Sequence, residues 1–325
     1  MYQNNLYNRA MNDIPNIDNT YLTDSEIDFN EILNVLWKGK WYIVASTTLF
    51  IIIAFTYSFS LPNIYKSKAL LSPVGEQNSM NSAMKSYGGI ASLAGINLPS
   101  QASGSNSVKA LDKLKSLSFF TDNILPNIFL PDLMAIKSWD PRTNTIIYNK
   151  KDFNQDTQTW IRDFGYPQTQ IPSAQESFRV FMSEKLNFSQ NKDTGFITIS
   201  IKHQSPYVAQ AWTELVVKEI NYFFRVKDKA EAQTSMIFLN NQMAKTSLAE
   251  IRQVIAQLLQ QKTQKMTLIE ASNFYVFDYI DPPAVMEQKA EPQRAIIVVL
   301  GAFLGSILGM FIVLIRRYYF VGKKL

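Results

Sequence analysis

Two apolar runs near opposite ends of the sequence constrain everything else. Residues 41–61 (WYIVASTTLFIIIAFTYSFSL) and 295–315 (AIIVVLGAFLGSILGMFIVLI) each hold 21 consecutive residues without a charge. At about 1.5 Å rise per residue, each run makes ~31 Å of helix, enough to cross a hydrocarbon layer ~30 Å thick. Between them, residues 62–294 form a loop of 233 residues, long enough for its own hydrophobic core.

Lysines and arginines beside the runs set the expected orientation. Arg316, Arg317, Lys323 and Lys324 follow the second run without an acid among them, and Lys38 and Lys40 precede the first. Lys66 and Lys68, just past the first run, oppose that trend. Two spans nevertheless put both termini on one side. The expectation is a two-pass membrane protein, with both ends cytoplasmic and residues 62–294 outside the cytoplasm. A cleaved signal peptide is the alternative for the first run. It would sit behind a polar head of 40 residues, exceed the usual apolar stretch of about 7–15 residues, and offer only residues 58–60 as a poor cleavage site.

Composition excludes several chemistries. The chain has no cysteine and one histidine, His203, so disulfides, thiol catalysis and histidine-cluster metal sites are ruled out. A net charge of +5 is too weak to argue for nucleic acid. No GxxxxGK[ST] phosphate loop occurs. Asp152 and Asp156 are a conceivable glycosidase pair, but they share a lysine-bearing loop and read as solvated surface. Trp139, Trp160 and Tyr166 are conceivable sugar-stacking residues, with burial as the default. No catalytic residue, cofactor or metal is expected.

Along the chain, residues 1–25 are rich in asparagine and poor in aliphatics, as in a disordered head. Residues 26–40 carry Ile27, Phe29, Ile32, Leu33, Leu36 and Trp37 at helical spacing. This predicts an amphipathic lead-in helix, with Trp37, Lys38, Lys40 and Trp41 at the membrane surface. Residues 64–72 read as a strand and 75–107 as a flexible Gly/Ser/Asn/Ala run. A helix begins at Val108, and a shorter one covers 131–137. Residues 139–175 look like loop, 177–186 like a short helix, and 195–202 like a strand.

Ser205-Pro206 then reads as an N-cap with proline at the first helical position. Neither Gly nor Pro occurs from Tyr207 to Asp281. Leu248, Ile251, Ile255 and Leu258 step like a coiled-coil seam, and residues 247–250 (SLAE) match a capping box. A break near 245–247 would let the chain return towards a strand at 274–280; one unbroken helix remains open. The expected fold is α+β. Two transmembrane helices (41–61, 295–315) flank a domain with a membrane-proximal base (about 62–205 and 271–290) and an extended helical arm (about 206–270). A basic tail, 316–325, follows.

Two further features sit near the second span. Gly301, Gly305 and Gly309 share one helix face, where a backbone can approach closely, either the first span or a neighbouring subunit. Pro282, Pro283 and Pro292 mark a stiff linker before it. In that linker Met286 stands between the prolines, Glu291-Pro292-Gln293 precedes Arg294, and Gly305 and Gly309 follow. This pattern, with the head segment Ile27-Asp28, Leu33, Leu36-Trp37 and Lys40, resembles the Wzz-type polysaccharide co-polymerases. Residues 60–73, 93–98 and 245–258 are similar to that family as well. The family pattern has a second proline where Met286 stands and Ser-Pro-Lys at 291–293.

The resemblance implies a non-enzymatic, ring-like homo-oligomer. It would act with a Wzy-type polymerase on undecaprenyl-pyrophosphate-linked O-antigen repeats and set the modal chain length of lipopolysaccharide. An adaptor for capsule or exopolysaccharide, working with a separate tyrosine autokinase, shares the architecture and is the alternative.

Overall fold

The computed structural model describes residues 29–74, 106–271 and 274–321. The expected head (1–25), most of the Gly/Ser-rich run, and Lys323 and Lys324 of the basic tail lie outside the described residues. The chain divides into a unit of residues 1–60 with 294–325 and a unit of residues 61–293.

The first unit begins with α1 (Phe29–Lys38), whose apolar spacing produces the expected amphipathic helix. Gly39 separates it from α2 (Lys40–Ser60). A side chain at Gly39 would collide with the Val313 side chain, so the close approach favours glycine.

The second unit begins with β1 (Tyr65–Pro73) and α3 (Asn106–Leu114). A run of short helical turns, 117–127, leads to α4 (Leu130–Met134). Then come β2 (Ile136–Asp140), β3 (Thr145–Tyr148), β4 (Phe153–Asn154) and β5 (Thr159–Trp160). Residues 139–175 are therefore not simply loop: they hold most of two small antiparallel hairpins, β2–β3 and β4–β5. These strands are too short to display a period. Their turns use Asn144 and Gln158 at positive φ (51° and 54°) rather than glycine, so the usual turn signal is missing.

Next are α5 (Ala174–Val180), β6 (Leu186–Gln190) and β7 (Ile197–His203). The expected helix at 177–186 starts earlier, with a Ser173–Glu176 capping box, and gives way to a strand that sequence reading missed. The long helix α6 (Pro206–Lys245) follows, then α7 (Ala249–Ala271), β8 (Phe277–Asp281) and finally α8 (Arg294–Ile315), which belongs to the first unit.

The main sheet runs β6-β7-β1-β8, antiparallel throughout, and joins the three strands expected at 64–72, 195–202 and 274–280. Its buried face presents Ala69, Leu71, Ile197, Ile199 and Ile201 to Trp212, Val216, Ile220 and Phe224 of α6. Leu114, Phe119, Phe120 and Phe181 complete that core.

Helix α6 opens as expected: Ser205 Oγ accepts from the Val208 amide, and Pro206 occupies the first turn. Its buried positions end at Ala232, so the remaining turns extend beyond the core as an arm. At ~1.5 Å per residue, 40 residues span about 60 Å. Helix α7 returns antiparallel, tied by Lys229–Glu270 and Lys265–Asp228 ion pairs. The break falls at 246–248, but the SLAE capping box does not form. Arg252 Nε instead donates to the Thr246 carbonyl at 2.8 Å. The fold is thus mixed α+β, with a long helical arm and two helices long and apolar enough to cross a membrane.

Candidate functional site

The two apolar helices pack closely along the glycine face. A Cβ at Gly301 would lie 2.5 Å from Ala54 Cβ; at Gly305, 2.8 Å from Phe50 Cβ and 2.9 Å from Thr47 Cα; at Gly309, 2.7 Å from Ile43 Cα. Partner positions fall as glycine numbers rise, so α2 and α8 run antiparallel. Ser46 Oγ donates to the Gly305 carbonyl at 2.9 Å, a contact the sequence reading did not single out. Of the two partners considered for this face, the structure places the first span on it.

The lead-in residues lie outside that interface. Trp37 and Trp41 are 73% and 74% exposed, and Lys40 Nζ sits 5.1 Å from the centre of the Trp37 ring. Arg316 stacks over Tyr42, and Arg294 over Phe59, each 4.6 Å from the ring centre. Arg317 is exposed.

The proline stretch belongs to the 61–293 unit. Pro283 is buried and Pro282 exposed. Ser67 Oγ donates to the Ala284 carbonyl at 2.9 Å. The Ile64 amide donates to the Glu291 carbonyl at 2.9 Å, and Lys202 pairs with the Glu291 carboxylate. The segment before Pro292 is therefore fastened to the start of β1.

His203 is buried to 1% and lies edge-on to Trp212. The Ser205 amide donates to Nδ1 at 3.0 Å, so Nε2 carries the proton and donates to the Asp132 carbonyl, also 3.0 Å. Burial pushes its pKa down to about 4, opposed by those backbone bonds, and Lys185 lowers it further. This neutral histidine holds the start of α6 on the α4 segment. Asp132 itself is shifted upward by burial, opposed by the hydroxyl it accepts from Tyr148.

The carboxylates and aromatics considered for sugar chemistry do not converge. Asp152 accepts from Asn149 at 2.6 Å beside β4, while Asp156 is exposed in the β4–β5 turn. Trp139 packs on Tyr65 and Tyr207, Trp160 on Phe153, and Tyr166 is fully exposed. No cluster of three metal-binding side chains occurs among the described residues.

Sequence reading missed the tie between arm and sheet. Asn221, buried in α6, accepts the amides of Tyr275, Val276 and Phe277 at 3.2, 2.7 and 2.9 Å and donates to the Phe277 carbonyl at 3.0 Å. Two helical turns on, Asp228 accepts from the Tyr275 hydroxyl at 2.6 Å and from Lys265 at 2.9 Å. The available signal was two polar residues on the buried stripe Val217, Asn221, Phe224, Asp228 and Ala232.

Residues 25–117, which include α1, α2 and β1, match the Wzz model, chain length determinant protein. Over those residues the chain is similar to the chain length determinants of the Wzz-type polysaccharide co-polymerases. A second family model, GNVR, described as a G-rich domain on putative tyrosine kinase, matches residues 248–318. No curated protein matches the sequence significantly. Among solved structures, a full-length bacterial polysaccharide co-polymerase is 15% identical, with a TM-score of 0.37 over 90% of this chain and 99% of that one. A fragment of WzzB, polysaccharide co-polymerase from Salmonella Typhimurium, is 14% identical, with a TM-score of 0.27 over 70% of this chain and all of that one. At those values the likeness to Wzz rests on the match over residues 25–117 and not on the superpositions.

Proposed function

We propose that this chain is a non-enzymatic regulator that sets the modal length of lipopolysaccharide O-antigen. It works as a ring-like homo-oligomer beside a Wzy-type polymerase acting on undecaprenyl-pyrophosphate-linked repeats. The observation that carries the reading is the chain length determinant match over residues 25–117. The protein sits in the inner membrane with both termini cytoplasmic and residues 62–294 periplasmic, a placement supported by Lys38, Lys40, Arg316, Arg317, Lys323 and Lys324 beside the spans. Gly301, Gly305 and Gly309 hold the spans together, and Pro282, Pro283 and Pro292 stiffen the approach to the second. The arm and paired spans act as a scaffold that spaces polymerases, so that extension ends within a length window.

Deleting the gene and resolving lipopolysaccharide on a gel tests this. The modal cluster of bands should collapse into an unregulated ladder and return on complementation; an unchanged ladder overturns the reading.

The GNVR match over residues 248–318 favours a second reading, an adaptor for capsule or exopolysaccharide working with a separate tyrosine autokinase. There the deletion leaves the lipopolysaccharide ladder intact, lowers capsule or exopolysaccharide yield, and changes tyrosine phosphorylation of the partner kinase.

A further inference from the structure

Lys66 and Lys68 oppose the charge trend that orients the chain, and the fold shows where they go. Lys66 stands directly opposite Lys202 in the β1–β7 ladder, and Lys68 opposite Ser200. Side chains alternate across a strand, so Lys66, Lys68 and Lys202 share one sheet face, while Ser67, Ala69 and Leu71 point into the core. The acids on this face are few. Glu291 pairs with Lys202; Asp281 and Asp278 lie farther along, opposite Leu70 and Ser72. Burial and the charges of Lys68 and Lys202 lower the Lys66 pKa, and Glu291 only partly offsets them.

On the two-span reading, the covalent tethers alone bound the distance from this corner to the ends of the apolar helices. Lys66 is six residues past Ser60, the last residue of α2, so their Cα atoms are separated by at most ~20 Å. Glu291, bridged to Ile64, is three residues before Arg294, at most ~10 Å of chain. Both tethers meet at the same end of the sheet. At the same strand end, but on the opposite, core-facing side, Tyr65 lies edge-on to Trp139 at 5.5 Å, and Trp139 packs on Tyr207.

We propose that Lys66, Lys68 and Lys202 form a binding site for the phosphate of anionic phospholipid headgroups. The inference rests on the two-span reading. The lysines supply charge-assisted hydrogen bonds to phosphate oxygens. Lipid bound there relieves the repulsion among three like charges and holds this corner of the sheet to the membrane.

The test uses the full chain in neutral detergent, titrated with phosphatidylglycerol or phosphatidylcholine, with bound lipid counted by native mass spectrometry. Phosphatidylglycerol should bind preferentially, and less so as salt rises, because exposed charges are screened within about 10 Å at 0.1 M salt. Lys66→Gln/Lys68→Gln, which leaves the Lys202–Glu291 pair in place, should weaken phosphatidylglycerol binding roughly 25-fold, about fivefold per lysine. Lys66→Arg/Lys68→Arg should restore it. Equal phosphatidylglycerol binding by wild type and the glutamine variant overturns the proposal. So does loss of polyprenyl pyrophosphate binding in that variant with phosphatidylglycerol unaffected, which would make the corner a substrate site. Alkaline extraction of membranes separates the underlying assumption: release of the wild-type chain would sink the two-span reading itself.

Discussion

Replacing Asn221 tests how the arm is fastened to the sheet. Its side-chain oxygen is the acceptor for three consecutive amides, Tyr275, Val276 and Phe277, and its amide group donates to the carbonyls of Phe277 and Val217. Val276 and Phe277 are essentially inaccessible to solvent. A buried donor left unpaired costs about 1–3 kcal/mol. Two fully buried amides and one partly buried amide therefore put the loss near 4 kcal/mol, since such costs do not add in full. Against a typical stability of about 5–15 kcal/mol, that is large. Asn221→Leu is the sharper variant: it keeps the approximate shape, removes both hydrogen-bonding atoms and leaves no room for a substituting water. Hydrogen exchange by mass spectrometry on the full chain in detergent reads the effect locally. Exchange at 275–277 should accelerate by roughly a thousandfold, as about 4 kcal/mol implies, while the β6–β7 ladder changes far less. Exchange at 275–277 within threefold of wild type would refute the reasoning.

Acid sensitivity should trace to His203. Its folded pKa of about 4 lies below the unfolded value of ~6.5, so the unfolded chain takes up the proton first. Its contribution is intact above pH ~6.5 and is lost as pH falls towards 4, reaching about 3 kcal/mol. His203→Gln should flatten that part of the profile, measured as the change in urea midpoint between pH 7 and pH 4; equal slopes in both proteins would contradict it. In the spans, Gly305→Leu drives a side chain into Phe50 and the Thr47 backbone and disturbs the Ser46 bond. It should cost about 2 kcal/mol, read as a lower SDS unfolding midpoint in mixed micelles, and an unmoved midpoint would show that the glycine face is not a close contact.

Local patterns explain which parts of the fold were legible beforehand. An apolar run of 21 residues admits few fates besides a spanning or buried helix. Ser205-Pro206 announces the start of α6 because capping is satisfied within one turn. The break after Lys245 was legible from the return the chain has to make, whereas its chemistry was not: Arg252, and not Ser247, binds the exposed backbone. The small hairpins of 136–160 escaped because two to five residues carry no readable period. Strand β6 escaped because Leu186–Gln190 has one buried residue, so its partner β7 decides its conformation.

The candidate surfaces divide in the same way. The glycines at 301, 305 and 309 were visible from their spacing, but their pairing with Ala54, Phe50 and Ile43 lies some 250 residues away in the chain. Lys66 and Lys68 read only as an exception to a charge rule until the ladder set Lys202 beside them.

The sequence by itself determined the two helices long and apolar enough to cross a membrane, the long arm and the absence of thiol and histidine-cluster chemistry. Those properties follow from composition and from spacing within a few turns of helix. Tertiary structure alone decided the strand order, the Asn221 clamp, the neutral state of His203 and the shared face of the three lysines. Each of these depends on groups brought together from distant parts of the chain, and on burial that changes what a polar atom costs once water is gone.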